Sequence, residues 1–460
     1  MIKDMTKGNT LKLIVLFSVP ILIGNIFQQM YQLADIFIVG RLLGSRALAA
    51  VGASAPVYFM FLIIAFSFTG GLTAVTAQRF GAGDYDGVRK SVTHSIRASL
   101  ALSLLLTGIL VCFLHPVMRV LNVPDEIYAD SYKFIFILGC AMVLLVGFNL
   151  LFGFIRALGD SKTPLYFLIF SSVLNIVFNF ILIKYCGLGV IGSATGTVLA
   201  IGVSVICCLV YVYKHYPILR ITKKDWGYHK EFMREHLHIA VPMSIQFSVL
   251  SLSIMVIQAV CNSFGSDVIV GFTIALRMEQ LATQPLMALG LSMATFVAQN
   301  FGAGKISRIR EGVRKTGLLS FGISLVLSLM VFSFGRKMVG GFLNEANELA
   351  VSVGVSYLSV SIMFYFFLGM IFIFKNTLQS IGKPFYAVLS GFVELGIRCF
   401  AAIVLAKSMG YAGIYYASPL AWLGGSTVVF IGYYINVYKR GKAIIEDYKK
   451  MNDRNKALAA

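Results

Sequence analysis

The motif AQRFGAG, residues 77–83, returns as AQNFGAG at residues 298–304, with six identities in seven positions. Shorter pieces recur on both sides of it: Val19-Pro20 as Val241-Pro242, Leu43-Gly44-Ser45 as Phe264-Gly265-Ser266, Gly87 to Lys90 as Gly312 to Lys315, and Gly159 to Pro164 in part as Gly382 to Pro384. The offset stays between 221 and 225 residues. Self-similarity at a fixed period indicates a repeated architecture. The sequence therefore predicts two copies of one design.

Long apolar stretches define the class of protein. Of the 460 residues 58% are hydrophobic and only 13% are charged, whereas soluble domains are about 25% charged. A helix needs roughly 20 apolar residues to cross a bilayer. Eleven stretches of that length contain no acidic residue, lysine or arginine: 13–34, 47–78, 98–118, 134–155, 163–183, 185–213, 236–266, 280–304, 316–335, 349–374 and 408–438. A twelfth, 384–408, is interrupted by charges. We therefore expect an all-α integral membrane protein with twelve transmembrane helices, which excludes a disordered chain or a soluble enzyme.

The basic residues set the predicted topology. The net charge is +19, and most of the 39 basic residues fall in alternate connections between the apolar stretches. Such a bias marks the cytoplasmic side and places both termini there. We expect an N-terminal six-helix bundle at 1–213, a cytoplasmic linker at 214–235, a C-terminal six-helix bundle at 236–438 and a basic cytoplasmic tail at 439–460. Since six is even, the copies form a parallel repeat around a central cleft, an arrangement typical of secondary transporters.

A polar face runs along the first predicted helix. Asn25, Gln28, Gln32 and Asp35 follow one another at spacings of 3, 4 and 3 residues, which places them on one side of a helix. An acid within a membrane helix is a candidate functional residue, because burying charge in lipid is costly. We expect this face to border a wet interior, with Gln28, Tyr31 and Gln32 as candidates for a substrate cavity.

Asp35 belongs to one copy only. The repeat offset leads from Asp35 to Val256 or Ile257, so the second copy has no matching acid. A carboxylate with a purely architectural role would be expected in both copies, whereas a coupling-ion site can belong to one bundle. The alternative is that Asp35 caps the next loop or pairs with Arg41 or Arg46 at the outer surface.

Two further helices carry polar pairs. Asn175 and Asn179 lie one turn apart, and Thr195 and Thr197 follow on the next helix. These groups could simply join helices by hydrogen bonds. Together with Asp35 they also supply the oxygen ligands that a hard cation prefers, and Asp35 could instead carry a proton. The residues alone leave Na⁺ and H⁺ open.

A possible second polar site lies in the second copy. Glu279 and Glu394 are the other acids within predicted helices, and Arg277 and Arg398 accompany them. Arg398 is four residues after Glu394, a spacing at which helical side chains meet, so we expect a structural ion pair. Arg277 and Glu279 are only two residues apart and do not face each other, so we expect each to find a partner on another helix.

At these residues the chain resembles the multidrug and toxic compound extrusion (MATE) family. The resemblance rests on PILIGNIFQQMYQLAD at 20–35, the two Gly-Ala-Gly loops and RALGDSKTP at 156–164, and it covers residues 10 to 440. It implies an antiporter in a bacterial-type plasma membrane that exports organic cations against inward Na⁺ or H⁺. We also expect no cofactor beyond the coupling ion, no metal beyond Na⁺ itself, and no nucleic acid or obligate protein partner.

The resemblance also implies a cation site in the first bundle. The positions that match the family's site are Asp35, Asn175, Asn179 and Thr197, with Asn179 in place of the usual Asp. The acids that some members carry on helices 7 and 10 have no acidic match here, near Leu250 and Met370.

Three alternatives compete with an antiporter. A flippase for a lipid-linked saccharide shares this architecture and would need a strongly cationic cavity, yet only Arg277 and Arg398 fall within the predicted helices. A membrane enzyme would need a catalytic constellation, and the sequence contains none that we recognise, so we expect no enzyme. A channel would show a continuous polar lining in both copies.

Overall fold

The computed structural model describes residues 2–342 and 347–459, with side chains to residue 453. Every regular element in these ranges is a helix, which confirms the all-α fold. The α-helices are α1 (Thr10–Gly81), α2 (Tyr85–Val120), α3 (Asp125–Cys140), α4 (Met142–Ala157), α5 (Lys162–Phe180), α6 (Gly189–His215), α7 (Lys230–Cys261), α8 (Ser266–Ala282), α9 (Gln284–Gly302), α10 (Ile306–Gly340), α11 (Glu348–Ile362), α12 (Tyr365–Ser380), α13 (Phe385–Met409), α14 (Ala417–Tyr433) and α15 (Gly441–Ala459). Short 3₁₀ or π turns occupy Ile181–Tyr185, Pro217–Leu219, Lys223–Trp226, Asn262–Phe264, Gly410–Tyr416 and Tyr434–Lys439.

The helices have the length and apolarity of membrane spans. Within the described ranges seven continuous helical stretches are long and apolar enough to cross a bilayer, or up to ten when each of three bent helix pairs counts as one span. Two of the seven, Thr10–Gly81 with 72 residues and Phe385–Lys439 with 55 residues, far exceed the roughly 20 residues that one crossing needs. The structure therefore shows a multi-pass helical membrane protein, but this count does not confirm twelve crossings.

Helix α1 is interrupted at Gly44. Its backbone there has φ 82° and ψ −176°, outside the helical region, and glycine adopts a positive φ at no steric cost. Gly265, which precedes α8, has φ 91° and ψ 166°. These glycines are the central residues of the repeated tripeptides, so the sequence repeat extends to the backbone.

The chain divides into two compact units. The first unit consists of Ile23–Ser244 with short described pieces of both chain ends, and the second consists of Met5–Leu22 and the described part of Ile245–Asn452. The predicted boundaries at 213, 235 and 438 stay predictions, and the predicted chain limits at 1 and 460 lie outside the described residues.

A small apolar cluster positions α1 in the first unit. Val39 of α1, Leu138 of α3, and Val190 and Ala194 of α6 are buried together. Each fully buried side chain of this kind contributes about 1.5–3 kcal/mol when it is as large as Val or Leu. Val39 lies one turn after Asp35, so this packing holds the carboxylate beside α6.

The second unit has an aromatic core. Phe272 of α8, Tyr357 of α11, Tyr365 of α12 and Trp422 of α14 are buried within one cluster. The Phe272 and Tyr357 rings meet edge to face at 5.0 Å, a favoured aromatic geometry. This core surrounds the two helix breaks between α8 and α9 and between α11 and α12, which bend by 41° and 53°.

Candidate functional site

The polar face of α1 is only partly covered by protein. Gln28 and Gln32 are exposed, whereas Asn25, Tyr31 and Asp35 are half-buried. The two glutamines therefore keep the accessibility that a substrate-contacting residue needs, and their role as cavity residues stays a prediction. The Asp35 side chain makes a hydrogen bond to another helix, as described next.

A chain of hydrogen bonds connects Asp35 to α5 and α6. Asn179 Nδ2 donates to Asp35 Oδ1 at 2.6 Å and to Asn175 Oδ1 at 3.0 Å. Asn175 Nδ2 donates in turn to Thr197 Oγ1 at 2.8 Å, and this hydroxyl donates to the Ser193 carbonyl oxygen at 3.0 Å. The structure thus brings together the four residues that the resemblance implied, on three helices of the first unit.

The two asparagines are shielded from the surface. Asn175 is 2% exposed and Asn179 is fully buried. Among the described residues no donor bonds to Asn179 Oδ1, although buried polar atoms are almost always hydrogen-bonded. Asp35, Asn179 and Thr197 therefore present oxygens of the type that Na⁺ binds, and one of them accepts no hydrogen bond from the protein.

Gly196 permits the close approach of α6 to Asn179. A Cβ at Gly196 would clash with Asn179 Oδ1 and would lie 3.0 Å from the Asn179 backbone nitrogen. Any larger residue would have to push the amide away from its place beside Asp35. The lack of a side chain at position 196 thus leaves room for the Asn179 amide in the hydrogen-bond chain.

Two tyrosines border the same carboxylate. Tyr31 approaches Asn175 and Thr197 and lies near Asp35, and Tyr58 also lies near Asp35. The sequence indicated Tyr31 only as a cavity residue, and it did not indicate Tyr58 at all. Tyr58 follows Gly44 in the second part of α1, and no spacing along the sequence relates that segment to Asp35.

Asp35 forms no ion pair with any residue in the described ranges. The alternative partner Arg46 instead donates to the backbone carbonyl oxygen of Glu126. A membrane carboxylate whose hydrogen-bond donor is a neutral amide keeps its full negative charge when ionised. It can therefore attract a cation from outside the protein.

The prediction of an ion pair between Glu394 and Arg398 is wrong. Glu394 Oε1 instead accepts from Lys375 Nζ at 2.6 Å and from Ser390 Oγ at 3.0 Å, and the Lys375 and Glu394 side chains are 8% and 4% exposed. Arg398 Nη1 donates to Ser253 Oγ. Lys375 directly follows the predicted apolar stretch 349–374, yet it is buried within α12. The pairing across helices could not be read from spacing within one helix.

The expectation that Arg277 and Glu279 each have a partner on another helix is confirmed for Glu279 and wrong for Arg277. Arg277 is exposed and Nη1 donates to Gln280 Oε1 on its own helix at 3.4 Å. Glu279 Oε2 accepts from the Tyr357 hydroxyl at 3.1 Å. The four charges of the possible second site therefore form no single bonded cluster.

The GDSKTP motif at 159–164 begins α5. Asp160 Oδ1 accepts from the backbone nitrogens of Lys162 and Thr163, and Oδ2 accepts from Thr163 Oγ1 and the Tyr216 hydroxyl. Burial alone would raise the pKa of Asp160, but hydrogen bonds, including those from Thr163 and Tyr216, outweigh burial and hold the pKa below its usual value. This carboxylate therefore has a structural role at the start of α5.

Comparison with known proteins identifies the family. The MatE family profile matches this chain twice, at residues 20–181 and 242–404. The probable multidrug resistance protein YpnP of Bacillus subtilis (strain 168) is 29% identical over 96% of this chain and 99% of its own length. The multidrug export protein MepA of Staphylococcus aureus (strain N315) is 23% identical over 92% of this chain and 94% of its own length.

Solved structures share the fold. An outward-facing multidrug resistance MATE family transporter of the MOP superfamily has a TM-score of 0.88 at 22% identity, over 95% of this chain and 98% of that chain. At this identity the likeness concerns the fold alone. The two profile matches span more than half of the sequence. The chain therefore belongs to the MatE family of multidrug and toxic compound extrusion transporters, which confirms the resemblance found in the sequence.

Proposed function

We propose that this chain exports small organic cations in exchange for inward Na⁺ or H⁺ by alternating access, with Asp35 as the coupling-ion carboxylate. One observation carries the proposal. Asp35 is a half-buried acid in an apolar helix, and its hydrogen-bond donor is the amide of Asn179, not a cation. The names of YpnP and MepA, a probable multidrug resistance protein and a multidrug export protein, support the substrate class.

Ion binding at Asp35 supplies the coupling. An isolated charge in an apolar site is costly, and either Na⁺ or H⁺ neutralises it. The ion therefore stabilises the conformation that buries Asp35 most deeply, and it shifts the equilibrium only by its difference in affinity between the two states. A cationic substrate is attracted while Asp35 is charged and loses that attraction once the ion is bound.

The neighbours of Asp35 make the site suitable for one monovalent ion. Asn179 and Thr197, whose side-chain oxygens are neutral, belong to the hydrogen-bond chain that starts at the carboxylate. Because Asn179 stands where the family usually has Asp, the site carries one negative charge. One charge matches one Na⁺ or one proton.

The proposed architecture has twelve spans in two parallel-repeat six-helix bundles. Two observations support it. The same profile matches the chain twice, and Gly44 and Gly265 repeat one backbone conformation. The apolar helices give ten spans when each bent pair counts as one. Two of these stretches can each be divided into two spans: α1 at Gly44, and Phe385–Lys439 at the turn Gly410–Tyr416. The total is then twelve. The proposed location is the plasma membrane with both termini in the cytoplasm.

The flippase alternative gains no support from the buried cations. Lys375 is a further cation in an apolar helix, but Glu394 neutralises it at 2.6 Å. A site for a pyrophosphate group needs positive charge that the protein leaves unbalanced. Export of organic cations stays the better proposal.

Efflux from proteoliposomes tests the proposed function. A fluorescent cationic dye is the substrate, and Na⁺ and pH gradients are imposed separately. Asp35→Asn should abolish ion-driven efflux while the protein still reaches the membrane. The matched control is Asp86→Asn at the start of α2, where the carboxylate is 78% exposed and paired with Arg89. Wild-type efflux by D35N would remove Asp35 from the mechanism.

A further inference from the structure

A groove runs between α10 and α11 in the second unit. Its volume is about 440 Å³. The side chains that line it include Val331, Phe332, Arg336 and Lys337 of α10, and Val355 and Ser359 of α11. On each helix these residues are one position or one turn apart, so each helix turns a single face to the groove. Both apolar and cationic side chains therefore border one space.

Two contacts hold the helices of the groove together. Gly354 of α11 packs closely against α10, since a Cβ there would lie 2.9 Å from Val339 Cγ1. Farther along the pair, Ser328 Oγ of α10 donates to the Ile362 carbonyl oxygen of α11 at 3.3 Å. The lining residues lie between these two contacts in the sequence of both helices. The packing of the two helices thus builds the groove.

The polarity of the groove changes along α10. Val331 and Phe332 belong to the apolar stretch 316–335, whereas Arg336 and Lys337 directly follow it. The apolar part therefore lies at the depth of the acyl chains, and the two cations lie where the apolar region of the helix ends. A phospholipid has the same order of groups, with apolar chains followed by a charged phosphate.

The apolar wall continues along an exposed face of α10. Leu318, Phe321, Leu325, Leu329 and Phe332 follow one another at spacings of 3, 4, 4 and 3 residues, and each side chain is more than half exposed. From the first to the last of them the helix rises about 21 Å, which is more than half of the roughly 30 Å apolar core of a bilayer. An acyl chain that leaves the groove therefore finds a continuous apolar surface.

The cations can receive a phosphate. Arg336 Nη2 donates to Glu348 Oε2 at 2.7 Å, and these side chains are 73% and 74% exposed. An exposed ion pair of this kind contributes little, and a guanidinium has five donors, so Arg336 can contact a phosphate as well. Lys337 is also exposed. The three charged groups together carry one positive charge, which complements an anionic headgroup.

We propose that the groove between α10 and α11 binds one anionic phospholipid, with its phosphate at Arg336 and Lys337 and an acyl chain along Phe332 and the exposed face of α10. Basic sites between membrane helices recognise anionic lipid headgroups in this way. The lipid bridges the two helices and stabilises their pairing, because a ligand that binds only the folded state raises stability. The site lies in the second unit and does not depend on the proposed role of Asp35.

Native mass spectrometry of the full chain in detergent tests the headgroup. The probes are phosphatidylglycerol and phosphatidylcholine with identical acyl chains. The wild type should bind phosphatidylglycerol at least about tenfold more tightly, the change expected for one hydrogen bond to a charged group. R336Q/K337Q should lose this preference. The matched control is R119Q/K407Q, which removes two exposed basic residues from the last turns of α2 and α13 and should keep the preference.

A second set of variants tests the apolar part of the site. Val355→Trp fills the groove from the side of α11 and leaves both cations in place, so it should weaken the binding of both lipids. Ser359→Phe serves the same purpose if V355W does not fold. Glycerol phosphate has the phosphate without acyl chains, and at the concentration of the lipid it should not displace phosphatidylglycerol from the wild type.

Each contrary result would overturn the proposal. Equal affinity of the wild type for the two lipids would exclude selection of an anionic headgroup. Equal binding of phosphatidylglycerol by R336Q/K337Q and R119Q/K407Q would exclude these two cations as the site. Unchanged lipid binding in a folded V355W or S359F protein, or displacement by glycerol phosphate, would show that the groove does not hold an acyl chain.

Discussion

Gly196→Ala tests how closely the ion site depends on the position of Asn179. The new Cβ would clash with Asn179 Oδ1 and would lie 3.0 Å from the Asn179 backbone nitrogen. Asn179 is fully buried, so its amide has no free space to enter. The displacement should break the 2.6 Å hydrogen bond to Asp35, because such a bond is lost beyond about 3.5 Å.

The size of the effect follows from that bond. A hydrogen bond to a charged group contributes about 1.5–3 kcal/mol, which corresponds to roughly a 10- to 100-fold change in ion affinity. The half-saturating Na⁺ concentration should rise, because Na⁺ loses an oxygen ligand. A proton should instead bind more tightly, because the carboxylate loses a donor that stabilises its charge. Overall stability should change less, since a helical Gly→Ala change recovers up to about 1 kcal/mol.

Dye efflux against graded Na⁺ and pH measures this prediction. Gly202→Ala is the matched control on α6, because its Cβ would meet Leu144 Cδ1 at an ordinary 3.6 Å. A G196A protein whose half-saturating ion concentration stays within about twofold of the G202A value would refute the reasoning. The difference would then be far below one hydrogen bond to a charged group.

Three further changes test other parts of the structure. Lys375→Met should lower stability by about 3–5 kcal/mol, because it leaves Glu394 buried without a cation. In thermal unfolding, the double variant K375M/E394Q should recover most of this loss. Equal melting temperatures of K375M and the wild type would contradict the buried ion pair. Asp160→Asn should destabilise the protein by the same amount at every pH from about 5 to 8. The pKa of Asp160 is lowered in the folded protein. The stabilisation by its carboxylate is therefore complete above the unfolded-state pKa of about 3.9 and is lost only as the pH falls through the folded-state pKa. A deficit that disappears near neutral pH would be inconsistent with this. Asn179→Asp should change the Na⁺ and pH dependence of efflux more than the range of dyes exported, and an unchanged ion profile would argue against its place in the ion site.

The first unit shows what one sequence can predict. The fold class followed from apolar length, and Asp35, Asn175, Asn179 and Thr197 followed from polar residues on apolar helices together with a resemblance. Each of these signals is local to one helix. Contacts between the helices are known only from the structure. It shows that Asn179, and not Thr197, donates a hydrogen bond to the Asp35 carboxylate.

The second unit shows where local signals fail. The spacing of Glu394 and Arg398 favoured an ion pair within α13, but Lys375 of α12 takes the carboxylate at 2.6 Å. A spacing of four permits contact without requiring it, and a cation from another helix competes for the same oxygen. Lys375 escaped notice because its charge ended an apolar stretch and so suggested a loop.

Substrate-driven ion entry is the most direct test of the central claim. Proteoliposomes with a steep outward gradient of a cationic dye, and no initial ion gradient, should take up Na⁺ or H⁺ in exchange when they contain the wild type or D86N. Vesicles with D35N should take up neither ion. Equal ion entry through D35N and the wild type would contradict the account, because the exchange would then proceed without the one carboxylate proposed to carry it.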